Sequence, residues 1–113
     1  MSKLALIPNP PVSGTRTCTL CTEVQSNLTG IATLEINYIP DRHAVTPESF
    51  SPWLKSLANQ LSWEELVHSV MAHFYDEVLP YHAHLILHVD HEDGLSQTIE
   101  ETHQQPGYKK NAA

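Results

Sequence analysis

Residues 31 to 39, Ile-Ala-Thr-Leu-Glu-Ile-Asn-Tyr-Ile, alternate between apolar and polar side chains. In an extended chain, successive side chains point to opposite faces, so the two sets separate cleanly. The apolar face carries Ala32, Leu34, Ile36 and Tyr38, and the polar face carries Thr33, Glu35 and Asn37. This period of two predicts a β-strand with one buried and one polar face, and therefore a sheet that is covered on one side.

Two further segments alternate in the same way and predict neighbouring strands. Residues 15 to 23 are threonine-rich, and the loop around Asn27 and Gly30 is expected to join them to residues 31 to 39 as an antiparallel pair. Residues 81 to 90 divide into an apolar face and a histidine-rich face. The first face holds Ala83, Leu85, Leu87 and Val89; the second holds His82, His84, Ile86, His88 and Asp90. A turn at residues 92 to 94 predicts a closing strand over residues 95 to 101.

Helix signals fill the interval between these strands. Thr46 followed by Pro47 is typical of a helix start, and residues 62 to 65, Ser-Trp-Glu-Glu, form a capping box for a second helix. Both segments carry an apolar stripe at helical spacing. The stripes are Phe50, Trp53, Leu54 and Leu57, then Trp63, Leu66, Val67, Val70, Phe74 and Val78. Pro80 is expected to end the second helix.

The element order is therefore β-β-α-α-β-β, which predicts an α+β fold with an antiparallel sheet and two helices on one face. The 113 residues are expected to form one domain, with a core over about residues 15 to 100 and loose ends at 1–12 and 102–113. One face of such a sheet stays uncovered and its edge strands stay unpaired, so the chain is expected to form a homo-oligomer.

Composition narrows the classes of partner. A net charge of −7 argues against direct nucleic-acid binding, which requires a basic surface. No apolar run approaches the roughly 20 residues of a membrane span, and the start of the chain lacks a signal-peptide pattern. We therefore expect a cytoplasmic protein that does not contact membranes.

The element order, together with Ala-Thr-Leu-Glu-Ile-Asn-Tyr-Ile-Pro-Asp at residues 32 to 41, resembles the cyano-deazaguanine nitrile reductases of queuosine biosynthesis, the QueF family. The resemblance covers roughly residues 15 to 100. It implies a tunnelling-fold unit that assembles into an oligomeric barrel and a place in a tRNA modification pathway. It also implies that a deazapurine or a related planar heterocycle binds between subunits.

The resemblance also implies roles for individual residues. Cys21 falls near the family's nucleophile, the thiol that adds to the nitrile carbon and forms a covalent thioimide. Glu65 matches the carboxylate that holds the heterocycle, and Glu64 stands beside it where the family has a histidine.

Two parts of the family pattern are not matched, which marks the chain as a divergent member. Residues 28 to 30 stand where the family has its general-acid aspartate, and they include no carboxylate. Residues 46 to 53 stand where the family's cofactor lysines lie, but Lys55 comes only after them. Without those lysines the 2′-phosphate of NADPH would lack a partner, so no cofactor is expected. Nitrile reduction and amidine formation both remain open as chemistry.

Other interpretations of the same residues remain open. Cys21 can be a plain strand residue, and Glu65 can serve only as a helix cap. The chain can also be a tunnelling-fold member that binds a ligand or a protein without catalysis. A third possibility is a metal-dependent enzyme like the pterin synthases, which would use His82 and His84, two residues apart on one strand face.

Overall fold

A four-stranded antiparallel sheet with helices packed on one face dominates the computed structural model, which describes residues 3–9, 16–24, 26–57 and 62–107. The elements in chain order are β1 (Leu6–Pro8), β2 (Cys18–Val24), β3 (Ile31–Ile39), β4 (His43–Val45), α1 (Pro47–Ser56), α2 (Trp63–Val78), β5 (His82–Asp90) and β6 (Ser96–Gln104). The α+β class and the antiparallel arrangement predicted from the sequence are confirmed. Neither helix in the described ranges has the length and apolar character of a membrane span.

The strands of the main sheet follow the order β2-β3-β5-β6. The β2–β3 hairpin pairs Cys18 with Tyr38 at one end and Val24 with Ala32 at the other, as its predicted loop requires. Among the described strands, β2 and β6 each pair with one neighbour only, so both lie at edges of the described sheet.

The two faces of the sheet differ sharply in environment. On β2, β3 and β5 the helix face is largely buried and packs against the apolar stripes of α1 and α2 in one hydrophobic core, whereas the helix-face residues of β6 are half-buried. The opposite side, which we term the open face, is polar and partly exposed. Its residues are Thr19, Cys21, Glu23, Ile31, Thr33, Glu35, Asn37, Ile39, His82, His84, Ile86, His88, Asp90, Ser96, Thr98, Glu100, Thr102 and Gln104.

The helices begin where the sequence predicts, but each cap differs in detail. Thr46 is the N-cap of α1 without a side-chain cap bond; instead, the Ser49 amide and hydroxyl donate to the Thr46 carbonyl. At α2 the Ser62 hydroxyl accepts from the Glu65 N–H at 3.2 Å. The Glu65 carboxylate forms no hydrogen bond within the described residues, so only half of the predicted capping box is present.

Regular structure extends further toward both ends than the sequence indicates. Strand β1 lies in a segment expected to be loose, and it pairs antiparallel with β4. Its neighbour Leu4 is buried, and the Leu4 N–H donates to Glu77, whose other carboxylate oxygen accepts from the indole of Trp53. These contacts order the segment because they join it to both helices. At the other end, β6 continues to Gln104, beyond the predicted core boundary.

The Tyr38 side chain links the main sheet to β4 at the Tyr-Ile-Pro-Asp turn. Its buried hydroxyl accepts from the Val45 N–H at 2.9 Å. Burial raises the pKa of the Tyr38 hydroxyl above its ordinary value, although the Val45 N–H acts in the opposite direction. The turn is therefore anchored by a neutral phenol.

Candidate functional site

Cys21 lies in the middle of the edge strand β2, and its side chain is exposed on the open face. Cys18, three residues earlier, is half-buried on the helix face, beside Tyr38. Both cysteines are free thiols. The two cysteines therefore point to opposite faces of the sheet, and Cys21 lies where a solute can reach it.

Glu35 is the direct cross-strand neighbour of Cys21 on the open face. The Glu35 side chain is half-buried, and its carboxylate accepts from the Asn37 amide at 2.7 Å. The Asn37 amide oxygen in turn accepts from the Thr19 hydroxyl at 2.6 Å. This chain of two hydrogen bonds fixes the orientation of a carboxylate beside the exposed thiol.

Glu64 and Glu65 lie in the first turn of α2, on the opposite side of the sheet from Cys21. Both are exposed, and Glu64 accepts from the Gln97 amide at 3.0 Å. A single chain therefore does not bring Cys21 and Glu65 together. His68, a possible helical partner of Glu65, instead lies 3.4 Å from a carboxylate oxygen of Glu101.

The histidines of β5 interact with side chains of β5 and β6. His84 Nε2 lies 2.8 Å from Glu100, and the two nitrogens of His88 lie 3.2 Å from Thr98 and 3.3 Å from Asp90. His82 shares the open face with them. Within residues 3–9, 16–24, 26–57 and 62–107, no three His, Cys, Asp or Glu side chains are grouped so that they could hold a metal ion.

Residues 28 to 30, which stand where the QueF family has its general-acid aspartate, contact α2 and the core. The Thr29 carbonyl accepts from the Trp63 indole at 3.1 Å, and Leu28 packs against the core. Gly30 follows with a φ of +103°, in the left-handed region that favours glycine. The local structure thus explains these residues without catalysis.

A cleft of about 240 Å³ separates β2 from α1. Its lining residues are Thr22, Glu23, Ser51, Leu54 and Lys55. Among the described residues, Glu23 and Lys55 form no ion pair. The cleft is smaller than the roughly 300–1,000 Å³ of usual ligand pockets.

Glu35 is the residue at this site that sequence reasoning did not single out. The alternation of residues 31 to 39 placed Glu35 on the polar face. Which residue of β2 lies opposite Glu35, however, depends on the register of the hairpin. A shift of the register by one residue would have moved every side chain to the other face.

No protein-family model matches the chain, and a search of curated proteins finds no matching relative.

Proposed function

We propose that this protein is a divergent QueF-like member of the tunnelling-fold superfamily. It binds a deazapurine or a related planar heterocycle between the subunits of a cytoplasmic homo-oligomer. Cys21 adds to the ligand's nitrile and forms a thioimide, and Glu65 of a neighbouring copy holds the NH edge of the ring.

The observation that carries the proposal is the placement of Cys21, a free and exposed thiol in the middle of an edge strand. Thiol nucleophiles require access, which the open face provides, and a neighbouring group that handles the proton, for which Glu35 is the cross-strand candidate. Because the sheet lies between Cys21 and Glu65 in one chain, a site that uses both residues needs a second copy. The edges of β2 and β6, which no other described strand pairs with, support such an assembly.

The proposed chemistry needs no hydride donor. The cysteine sulfur bonds to the nitrile carbon, one carbon–nitrogen π bond breaks, and the thiol proton ends on the nitrogen. The segment at residues 46 to 53, which spans the cap of α1 and its first turns, offers no cation to the 2′-phosphate of NADPH. A thioimide can then be attacked by ammonia, which gives an amidine and restores the thiol.

Intact-mass spectrometry after incubation with the cyano-deazaguanine tests the proposal. A thioimide adds the whole mass of the ligand, because addition expels no group. We expect the adduct on wild type and on Cys18→Ala, and none on Cys21→Ala. An unmodified wild type that nevertheless binds the heterocycle in calorimetry would instead support a ligand-binding member without catalysis.

The proposal also predicts that NADPH is not consumed. Absorbance at the NADPH band should stay constant when protein, cyano-deazaguanine and NADPH are mixed. Steady oxidation that disappears in Cys21→Ala would contradict this and would point to a cationic site elsewhere in the assembly.

A further inference from the structure

We infer that Glu35 is the proton-transfer residue for Cys21: it accepts the thiol proton and delivers it to the nitrile nitrogen during addition. The inference rests on the proposed function for its natural substrate. The arrangement of Cys21 and Glu35 lies within one chain and does not depend on which substrate is bound.

The register places the two groups side by side. Cys21 and Glu35 are direct partners across the β2–β3 pair, and both side chains leave the open face. The Cβ atoms of such partners are roughly 4.5–5.5 Å apart, so a glutamate side chain can reach a neighbouring sulfur or a molecule bound to it. Glu23 is also on this face, but it lies two positions along β2, about 6.6 Å away by the rise of a strand, and its partner is Thr33.

The surroundings of Glu35 suit a group that exchanges protons. Asn37 and Thr19 hold the carboxylate in one orientation. On the other side its cross-strand neighbour is Ile86, a half-buried apolar residue that limits access of water. A positioned carboxylate that is partly shielded from water is one of the groups that serve as general acid–base residues.

The step balances without any further reactant. Glu35 begins as a carboxylate and takes the proton from the Cys21 thiol as the sulfur–carbon bond forms. The electron pair of the breaking π bond moves to the nitrogen, and Glu35 returns the proton there. The products are a neutral thioimide and the original carboxylate. Glu35 thereby supplies from strand β3 the acid that residues 28 to 30 lack.

The experiment compares two thiol reagents on wild type, Glu35→Gln and the control Glu23→Gln. The first reagent, 2-cyanopyrimidine, is a nitrile without the deazaguanine ring, and its addition requires a proton on nitrogen. The second, iodoacetamide, alkylates the thiolate and expels iodide, so it requires no proton delivery. Fragmentation mass spectrometry locates each label at Cys21 or Cys18, and samples taken over time give the rate of labelling at each cysteine.

Glu35→Gln should slow nitrile addition at Cys21 by about 100-fold, at the low end of usual acid–base contributions. Alkylation of Cys21 by iodoacetamide should not slow in Glu35→Gln, because this reagent reacts with thiolate that has already lost its proton to solvent. Removing a negative charge near the sulfur does not disfavour that thiolate. Glu23→Gln, which removes the same charge from the same face, should leave nitrile addition near the wild-type rate. Equal slowing of both reactions in Glu35→Gln, or no slowing of either, would overturn the inference.

The cyano-deazaguanine itself separates this inference from the proposed function. If wild type forms no adduct with that nitrile, but its reaction with 2-cyanopyrimidine depends on Glu35, the proposed substrate is wrong and the role of Glu35 stands. If the cyano-deazaguanine adduct forms equally fast in wild type and Glu35→Gln, the substrate stands and the role of Glu35 is wrong.

Discussion

Tyr38 shows how one side chain couples the sheet to the turn that follows it. Its hydroxyl is the acceptor for the buried Val45 N–H. Tyr38→Phe leaves that N–H without this acceptor and should lower the free energy of unfolding by about 1–3 kcal/mol. Urea denaturation measures the loss. Tyr75→Phe is the matched control, since the Tyr75 hydroxyl forms no hydrogen bond in the described contacts, and it should cost much less.

The same tyrosine predicts an alkaline dependence of stability. Burial raises the pKa of Tyr38 in the folded chain, so the unfolded chain loses this proton at a lower pH. The stability that the protonated Tyr38 hydroxyl contributes is therefore fully present below about pH 10, the ordinary pKa of tyrosine. It declines as the pH rises toward the pKa of Tyr38 in the folded chain. The stability difference between wild type and Tyr38→Phe should narrow above that pH. A difference that stays constant to higher pH would contradict the assignment.

Individual residues were predictable where a local pattern decides their environment. The buried face of residues 31 to 39 and the exposure of the His84 face followed from alternation alone. The pairing of Cys21 with Glu35 did not, because it depends on contacts between strands that a single segment does not specify. Likewise, the contact of His68 with Glu101 of β6, 33 residues later, depends on how α2 packs against the sheet.

At the scale of elements, two residues at the start of α2 have different expected roles: Ser62 stabilises the helix, and Glu65 is proposed to bind the ligand. Ser62→Ala removes the side-chain acceptor for the Glu65 N–H and should cost about 1 kcal/mol of stability. Glu65→Gln should leave the melting temperature nearly unchanged, since this carboxylate makes no hydrogen bond in the described part of the chain. If Glu65 holds the heterocycle, the same change should weaken ligand affinity at least ~10-fold in calorimetry. Unchanged affinity would leave Glu65 without a binding role.

The hairpin between β2 and β3 depends on Gly30. A Cβ atom there would lie 2.8 Å from Val89 Cγ1 and 3.2 Å from the Asp90 carbonyl oxygen, on a backbone with φ of +103°. Gly94 has a comparable φ of +86°, but nothing lies within 4 Å of its would-be Cβ. Each alanine variant meets backbone strain of about 1–3 kcal/mol, and Gly30→Ala adds an overpacking cost of similar size. Thermal melts should therefore rank Gly30→Ala below Gly94→Ala; the reverse order would show that the loop relaxes freely.

The main elements were predictable because each has its own period and its own boundary residues. The short strands β1 and β4 were not, since three residues are too few to show alternation. Their pairing also joins positions far apart in the chain, Leu6 with Val45. Such contacts come from tertiary packing, here through Leu4, Glu77 and Trp53, and they leave no local signal.

At the scale of the whole molecule, both described helices pack on one face of the sheet, and no element within residues 3–9, 16–24, 26–57 and 62–107 covers the open face. The open face is polar, with histidine and carboxylate side chains that satisfy one another, as in His84 with Glu100. A polar lining tolerates water, so this face suits the interior of a ring or barrel of copies better than a dry interface. In the proposed tunnelling-fold assembly, this polar face would line the interior.

The assembly yields a test of the site as well as of the oligomer. Light scattering on a sizing column should give an integral multiple of the monomer mass, and a strict monomer at micromolar concentration would remove the shared site.

Cys21→Ala and Glu65→Gln chains should each form little cyano-deazaguanine adduct alone. Co-expressed, they should form adduct on the Glu65→Gln chain, because about a quarter of randomly formed interfaces then join an intact Cys21 to an intact Glu65. Because one chain holds these residues on opposite sides of its sheet, recovery would require the two copies to share the site. An oligomer without recovery would show that Cys21 and Glu65 do not act together.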